Sequence, residues 1–213
     1  MKRKKTYLVL FEGQITEPHY FSSIAKTYSK ELNYSLNEDE IVSIYTSPLE
    51  LVEDAIQYIK QYDEVWVVFD EDGRYYAKGE TDRTKLRGAF ELARNAGVRI
   101  AYSSVCFEYW ISLHFEKHSL YETSCEKVTK AKIITAQPEF CKTLSITKAD
   151  DLKTQKVAKQ LYAALKDKTE TAIKNAEKRR EELDKTEDID QIYTLKAYTD
   201  VHVLVKKLTQ TDS

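Results

Sequence analysis

The sequence predicts an α/β fold built on a four-stranded, mainly parallel sheet in the order 2-1-3-4, with a helical C-terminal extension. Three observations carry this. Short apolar runs end on turn residues, segments with helical apolar spacing lie between them, and the alternation stops after residue 103.

T-Y-L-V-L-F (6–11) is the first strand. Thr16 is placed to cap the helix that follows, with Pro18 tolerated in its first turn. E-I-V-S-I-Y (40–45) reads as the second strand. Ser47 then Pro48 is an N-cap followed by proline at the first helical position, and Leu51, Val52, Ala55, Ile56 and Ile59 recur at helical spacing. V-W-V-V-F (65–69) is the third strand, and a helix over 82–95 ends through Gly97. V-R-I-A-Y (98–102) is the fourth strand. Beyond it C-F-E-Y-W-I-S-L-H-F (106–115) reads as a buried helix, 158–183 as a long helical stretch, and V-H-V-L-V-K-K-L (201–208) as a closing helix packed on the sheet. This divides the chain into an α/β core over 1–116 and a helical elaboration over 117–213.

At 213 residues, with 42% hydrophobic residues, five glycines and three prolines, the chain is a folded globular protein. Its longest apolar run falls far short of the roughly 20 residues of a membrane-spanning helix. The opening M-K-R-K-K-T-Y-L-V-L-F-E meets Glu12 too soon for a signal peptide. Three cysteines without C-x-x-C spacing point to reduced thiols and a cytoplasmic setting. A net charge of −2 gives no global basic field for nucleic acid, and the alternating charges of 166–185 read as a solvated helix face.

Residues 64–73, E-V-W-V-V-F-D-E-D-G, end a buried strand on three carboxylates. Such crowding is costly without a cation. Glu12 ends strand one and Asp70 ends strand three, and in a 2-1-3-4 sheet those strands are neighbours where the order reverses, the usual ligand crevice. Asp70 and Asp72 project to the same side of extended backbone, whereas Glu71 points away. Gly13 and Gly73 let the turns bend. The plain alternative is an acidic solvated turn; E-G ending strand one as well favours an all-oxygen site for Mg2+ or Mn2+.

The segments F-E-G-Q-I-T-E-P-H-Y-F (11–21), V-V-F-D-E-D (67–72), S-S-V-C-F-E-Y-W-I-S-L-H-F (103–115) and Y-T-D-V-H-V-L-V-K-K-L (198–208) together resemble the RloB-like family of prokaryotic proteins, over nearly the whole chain. That resemblance implies a Rossmann-like TOPRIM (topoisomerase–primase) core. It implies Glu12 as a metal ligand or general acid/base, Asp70 and Asp72 as the D-x-D metal ligands, and Glu17 as a further metal ligand. The family usually has Asn-Pro where this chain has Ser104-Val105, a departure in the turn before Cys106.

Other residues have two readings each. Glu108 is a further metal or substrate ligand, or else it caps its helix or pairs with an arginine such as Arg99, since a buried lone carboxylate is expensive. Ser103 and Ser104 bind phosphate or metal-bound water, or cap a loop. His19 serves proton transfer or phosphate binding, or lies on a helix surface. Arg74 and Lys148 stabilise charge on a reacting phosphate, or are surface residues. His114, His118 and Cys125 lack the H-E-x-x-H order and read as structural rather than as a zinc set.

The resemblance implies an Mg2+-dependent nuclease acting on DNA or RNA in anti-phage defence, with an AAA-type ATPase (RloA-like) as partner. Topoisomerase activity needs a further domain for which the chain leaves little room. Two alternatives stand beside it. One is a phosphoacceptor receiver with Asp70 as acceptor, which would need a fifth strand ending in lysine. The other is a catalytically silent module that binds a partner or nucleic acid.

Overall fold

A computed structural model describes residues 3–37, 47–71, 80–115, 124–184 and 197–210, with backbone alone at 80–83 and 184. Its centre is a five-stranded sheet in the order β2-β1-β3-β4-β5. The strands are β1 (Lys5–Phe11), β2 (Tyr34–Asn37), β3 (Glu64–Asp70), β4 (Arg99–Ser104) and β5 (Tyr198–Thr199). β1 runs parallel to β2 and β3, β3 runs parallel to β4, and β5 is antiparallel to β4. The expected order 2-1-3-4 holds, and the sheet gains β5 at its edge.

The strand beside β1 is Tyr34–Asn37, a segment not read as strand from the sequence; the 40–45 segment expected as the second strand lies outside the described residues. The region after residue 103, read as helix and loop, also supplies β5. Both added strands are short, four and two residues, and neither shows the apolar run that marks β3.

The helices are α1 (Thr16–Tyr28), α2 (Pro48–Ile56), α3 (Glu80–Ala96), α4 (Phe107–Ser112), α5 (Cys125–Lys127, continuing as a π-helical stretch Val128–Thr135), α6 (Pro138–Leu144), α7 (Gln155–Leu165), α8 (Thr169–Asp184) and α9 (Val201–Thr209). Ser47 caps α2 as expected, its hydroxyl accepting from the Glu50 amide at 3.4 Å. Gly97, at φ 82°, adopts the left-handed conformation that ends α3. Thr16 does not cap α1. It is the first helical residue, and its hydroxyl donates instead to the Leu152 carbonyl at 3.3 Å. The expected stretch 158–183 is divided between α7 and α8 by a short 3-10 turn over Lys166–Lys168.

Strand alternation divides the core in two. Tyr7, Val9, Trp66, Val68 and Ala101 face a layer formed by α1, α4, α7, α8 and α9. Leu8, Leu10, Val65, Val67, Phe69 and Tyr102 face α2 and α3. Burial on both faces explains why β3 reads as an unbroken apolar run. α9 buries Leu204, Val205 and Leu208 in the first layer, and the Tyr34 hydroxyl donates to the Leu208 carbonyl at 3.0 Å. The N-terminal strands and the C-terminal helices therefore share one core. No helix among the described residues is long and apolar enough to cross a membrane.

Candidate metal centre

The C-terminal ends of β1, β3 and β4 meet the N-termini of α1 and α4. Glu12 follows β1 directly, and its amide donates to the Val68 carbonyl at 3.0 Å, continuing the β1–β3 ladder. Asp70 closes β3 opposite Ser103 of β4. Its Oδ2 accepts the amide of Phe107, the first residue of α4, at 3.0 Å. Helix starts leave such amides without partners in their own helix, so a carboxylate there is well satisfied. Glu108 is the next residue of α4 and is buried. Glu17 stands in the first turn of α1, its carboxylate packed over Gly13 in the space that a Cβ would take.

Glu12, Glu17, Asp70 and Glu108 line one cavity of about 340 Å³, together with Cys106, Cys125 and Lys153. Three separate stretches of the chain thus bring four acids to one place. Burial raises the Glu17 carboxyl to about 7, the Glu108 and Glu12 charges push the same way, and Lys153 opposes them. Asp70 is pushed well above the ordinary carboxylate range, first by burial and then by Glu17 and Glu108, against the Phe107 amide. The neighbouring negative charges thus raise both Glu17 and Asp70, and the proton affinity of each depends on the other. Carboxylate oxygen is the donor that hard divalent ions take, so these four side chains are able to hold Mg2+ or Mn2+.

The other expected residues are scattered. The Ser103 hydroxyl shares a 3.0 Å hydrogen bond with Thr199 Oγ1, joining β4 to β5, and neither it nor Ser104 lines the cavity. The Ser104–Val105 peptide, at the departure from Asn-Pro, is cis. His19 lies in α1 outside the cavity lining, its pKa lowered by burial and by Lys159 and Lys26. Lys148 is exposed beside the Asp151 turn and is not in the lining. Glu71 is buried away from the cavity. Asp72, Arg74 and His118 lie outside the described residues.

Arg99 is not the partner of Glu108. It pairs with Glu64 at 3.1 Å, at the opposite end of the sheet, while Glu108 Oε2 accepts from Cys125 Sγ at 3.2 Å. His114 is buried, with Nδ1 against the Trp110 and Ile111 carbonyls at 3.1 and 3.2 Å, as the structural reading expects. Sequence reasoning missed Cys106 and Lys153 as cavity residues and read Cys125 only within the zinc set it set aside. Lys153 sits 83 positions after Asp70 in the chain (153 − 70), in a K-A-D-D-L-K run that looks like ordinary surface.

A family model described as RloB-like protein matches residues 7–208. No curated protein and no solved structure matches the chain.

Proposed function

The chain belongs to the RloB-like family, and from that premise we propose a TOPRIM-type, Mg2+- or Mn2+-dependent nuclease that hydrolyses phosphodiesters in DNA or RNA. The observation that supports it is the convergence of Glu12, Glu17, Asp70 and Glu108 in one cavity at the ends of adjacent parallel strands. A bound hard divalent ion would polarise a phosphodiester and lower the pKa of a water. Glu12, Glu17 and Asp70 would hold it, with Asp72 as the further D-x-D ligand.

The residues themselves divide the remaining work. The Phe107 amide fixes the direction of Asp70. Glu17, with its carboxyl near 7 in the ion-free protein, would release its proton as the ion binds, which ties occupancy of the site to pH. Lys153, at the cavity wall, supplies positive charge for a phosphate oxygen that the acids would otherwise repel. The role is proposed to lie in prokaryotic anti-phage defence in the cytoplasm, beside an AAA-type ATPase of the RloA kind. A net charge of −2 supports a partner that helps to capture the substrate.

The receiver alternative is disfavoured by β5, a two-residue antiparallel strand that leads into Asp200 rather than a parallel strand ending in lysine. Purified protein with Mg2+ or Mn2+ should nick DNA or cut RNA, and Asp70→Asn or Glu12→Gln should abolish the cut. Cleavage at the unaltered rate in both variants would defeat the proposal.

A further inference from the structure

We propose that Cys106, Cys125 and Glu108 form a binding site for one zinc-class metal ion in the wall of the same cavity. The proposal does not depend on the nuclease reading. It concerns a different donor chemistry, since thiolate is a poor ligand for Mg2+ and a strong one for zinc.

One ligand atom from each residue lies within 4.8 Å of the other two. Cys125 Sγ already donates to Glu108 Oε2 at 3.2 Å. Tetrahedral zinc with ordinary bond lengths would set its two sulfurs about 3.8 Å apart and sulfur from carboxylate oxygen about 3.5 Å. The side chains need only small rotations to reach that arrangement.

Local structure holds two of the ligands from different directions. Cys106 occupies the N-cap of α4, directly before Phe107 and Glu108, at the end of β4. Cys125 opens α5, whose start is capped by the Ser124 hydroxyl accepting from the Lys127 amide at 3.3 Å. Two cysteines from segments 19 positions apart (125 − 106) thus meet across the cavity wall. Cys141 shows the ordinary alternative for a thiol: it is buried, and its Sγ donates to the Ile133 carbonyl at 3.7 Å.

Three protein ligands are the complement of a zinc that keeps its fourth position for water or a substrate atom. All three residues line the cavity, so that position has access to solvent. On binding, both thiols lose their protons to the buffer and two metal–sulfur bonds form, with no change of oxidation state. A soft ion would also claim Glu108 and leave Glu12, Glu17 and Asp70 to a hard one.

The test uses the full chain, kept reduced and stripped by a chelator, then titrated with Co2+ as a spectroscopic probe. One equivalent should produce a sulfur-to-cobalt charge-transfer band in the near ultraviolet and the intense visible bands of four-coordinate cobalt. One equivalent of Zn2+ should erase them, and a large excess of Mg2+ should not. Cys125→Ser and Cys106→Ser should each weaken Co2+ binding at least about 100-fold, while Cys141→Ser leaves it intact. Cys106 is 3% exposed, so a folding defect in its variant is checked by circular dichroism. Cys125, half-buried at a helix start, gives the independent variant. Absence of the charge-transfer band, or its full intensity in Cys125→Ser, overturns the proposal. The readout is optical, so a failed nuclease assay leaves it standing, and its failure leaves the nuclease assay to be judged separately.

Discussion

The Glu17 carboxylate occupies the space beside Gly13 that a Cβ on that residue would fill. Glycine stands there because of that close approach and not for a special backbone angle, since Gly13 is absent from the positive-φ residues. Gly13→Ala should therefore push Glu17 aside with little effect on folding. Thermal melts should stay within a few degrees of the parent, while Mg2+ affinity by calorimetry falls about tenfold or more.

Divalent binding should depend on pH with a defined sign. At the proposed metal site protons would compete with the ion at Glu17, whose carboxyl lies at about 7. Between pH 8 and pH 6 that group alone should weaken Mg2+ binding about tenfold, with Asp70 adding to it. Calorimetric titration at the two pH values measures it, and equal affinities would contradict the coupling.

The metal-free fold should respond in the opposite sense. Glu17 has a folded pKa above its unfolded value, so the folded protein binds more protons between about 4.5 and 7 and loses stability as pH rises through that window. Glu17→Gln removes the penalty. Its metal-free melting temperature should exceed the parent's at pH 8, and the two should converge only below about pH 4.

Glu64 offers a control far from the cavity. It pairs with Lys5 at 2.8 Å, Arg99 at 3.1 Å and Lys207 at 3.1 Å, and it accepts from Trp66 Nε1 at 3.0 Å. Burial alone would raise its pKa, but Lys5, Lys207 and Arg99 together hold it below the usual range. Its contribution is therefore present at neutral pH and is lost as pH falls below about 4.5. Arg99 is largely exposed, which screens its share. Glu64→Gln should cost about 1–2 kcal/mol in urea unfolding at pH 7 and leave Mg2+ binding unchanged.

Tyr20 joins the helix carrying Glu17 to the helix carrying Glu108. Its hydroxyl accepts from Trp110 Nε1 at 3.0 Å, and its ring packs edge-on against Phe21, Phe107 and Tyr162. Tyr20→Phe would leave a buried indole N–H without an acceptor. A loss of about 1–3 kcal/mol is expected in equilibrium unfolding.

The parts of the fold written in strong local patterns were legible before the structure. β3 announces itself by V-W-V-V-F, α2 by Ser47-Pro48, and the end of α3 by Gly97. Parallel pairing then brought Glu12 and Asp70 to one edge, as the strand order implied. β2 and β5 were not legible because Y-S-L-N and Y-T are too short to carry a period, and their pairing comes from neighbours in the sheet. Cys125 and Lys153 were missed as wall residues for a related reason. They reach the cavity through the packing of α5 and the turn before α7, a tertiary outcome that no local spacing encodes.

Mutual repulsion among the cavity acids has an evolutionary reading as well. Neutral replacements at Glu17 or Asp70 would relieve repulsion in the ion-free protein, so a laboratory screen rewarding heat resistance alone should enrich uncharged residues at those positions. Under the proposed metal site, a screen that supplies magnesium throughout should instead retain the acids, since a bound ion would offset the repulsion that the screen would otherwise remove.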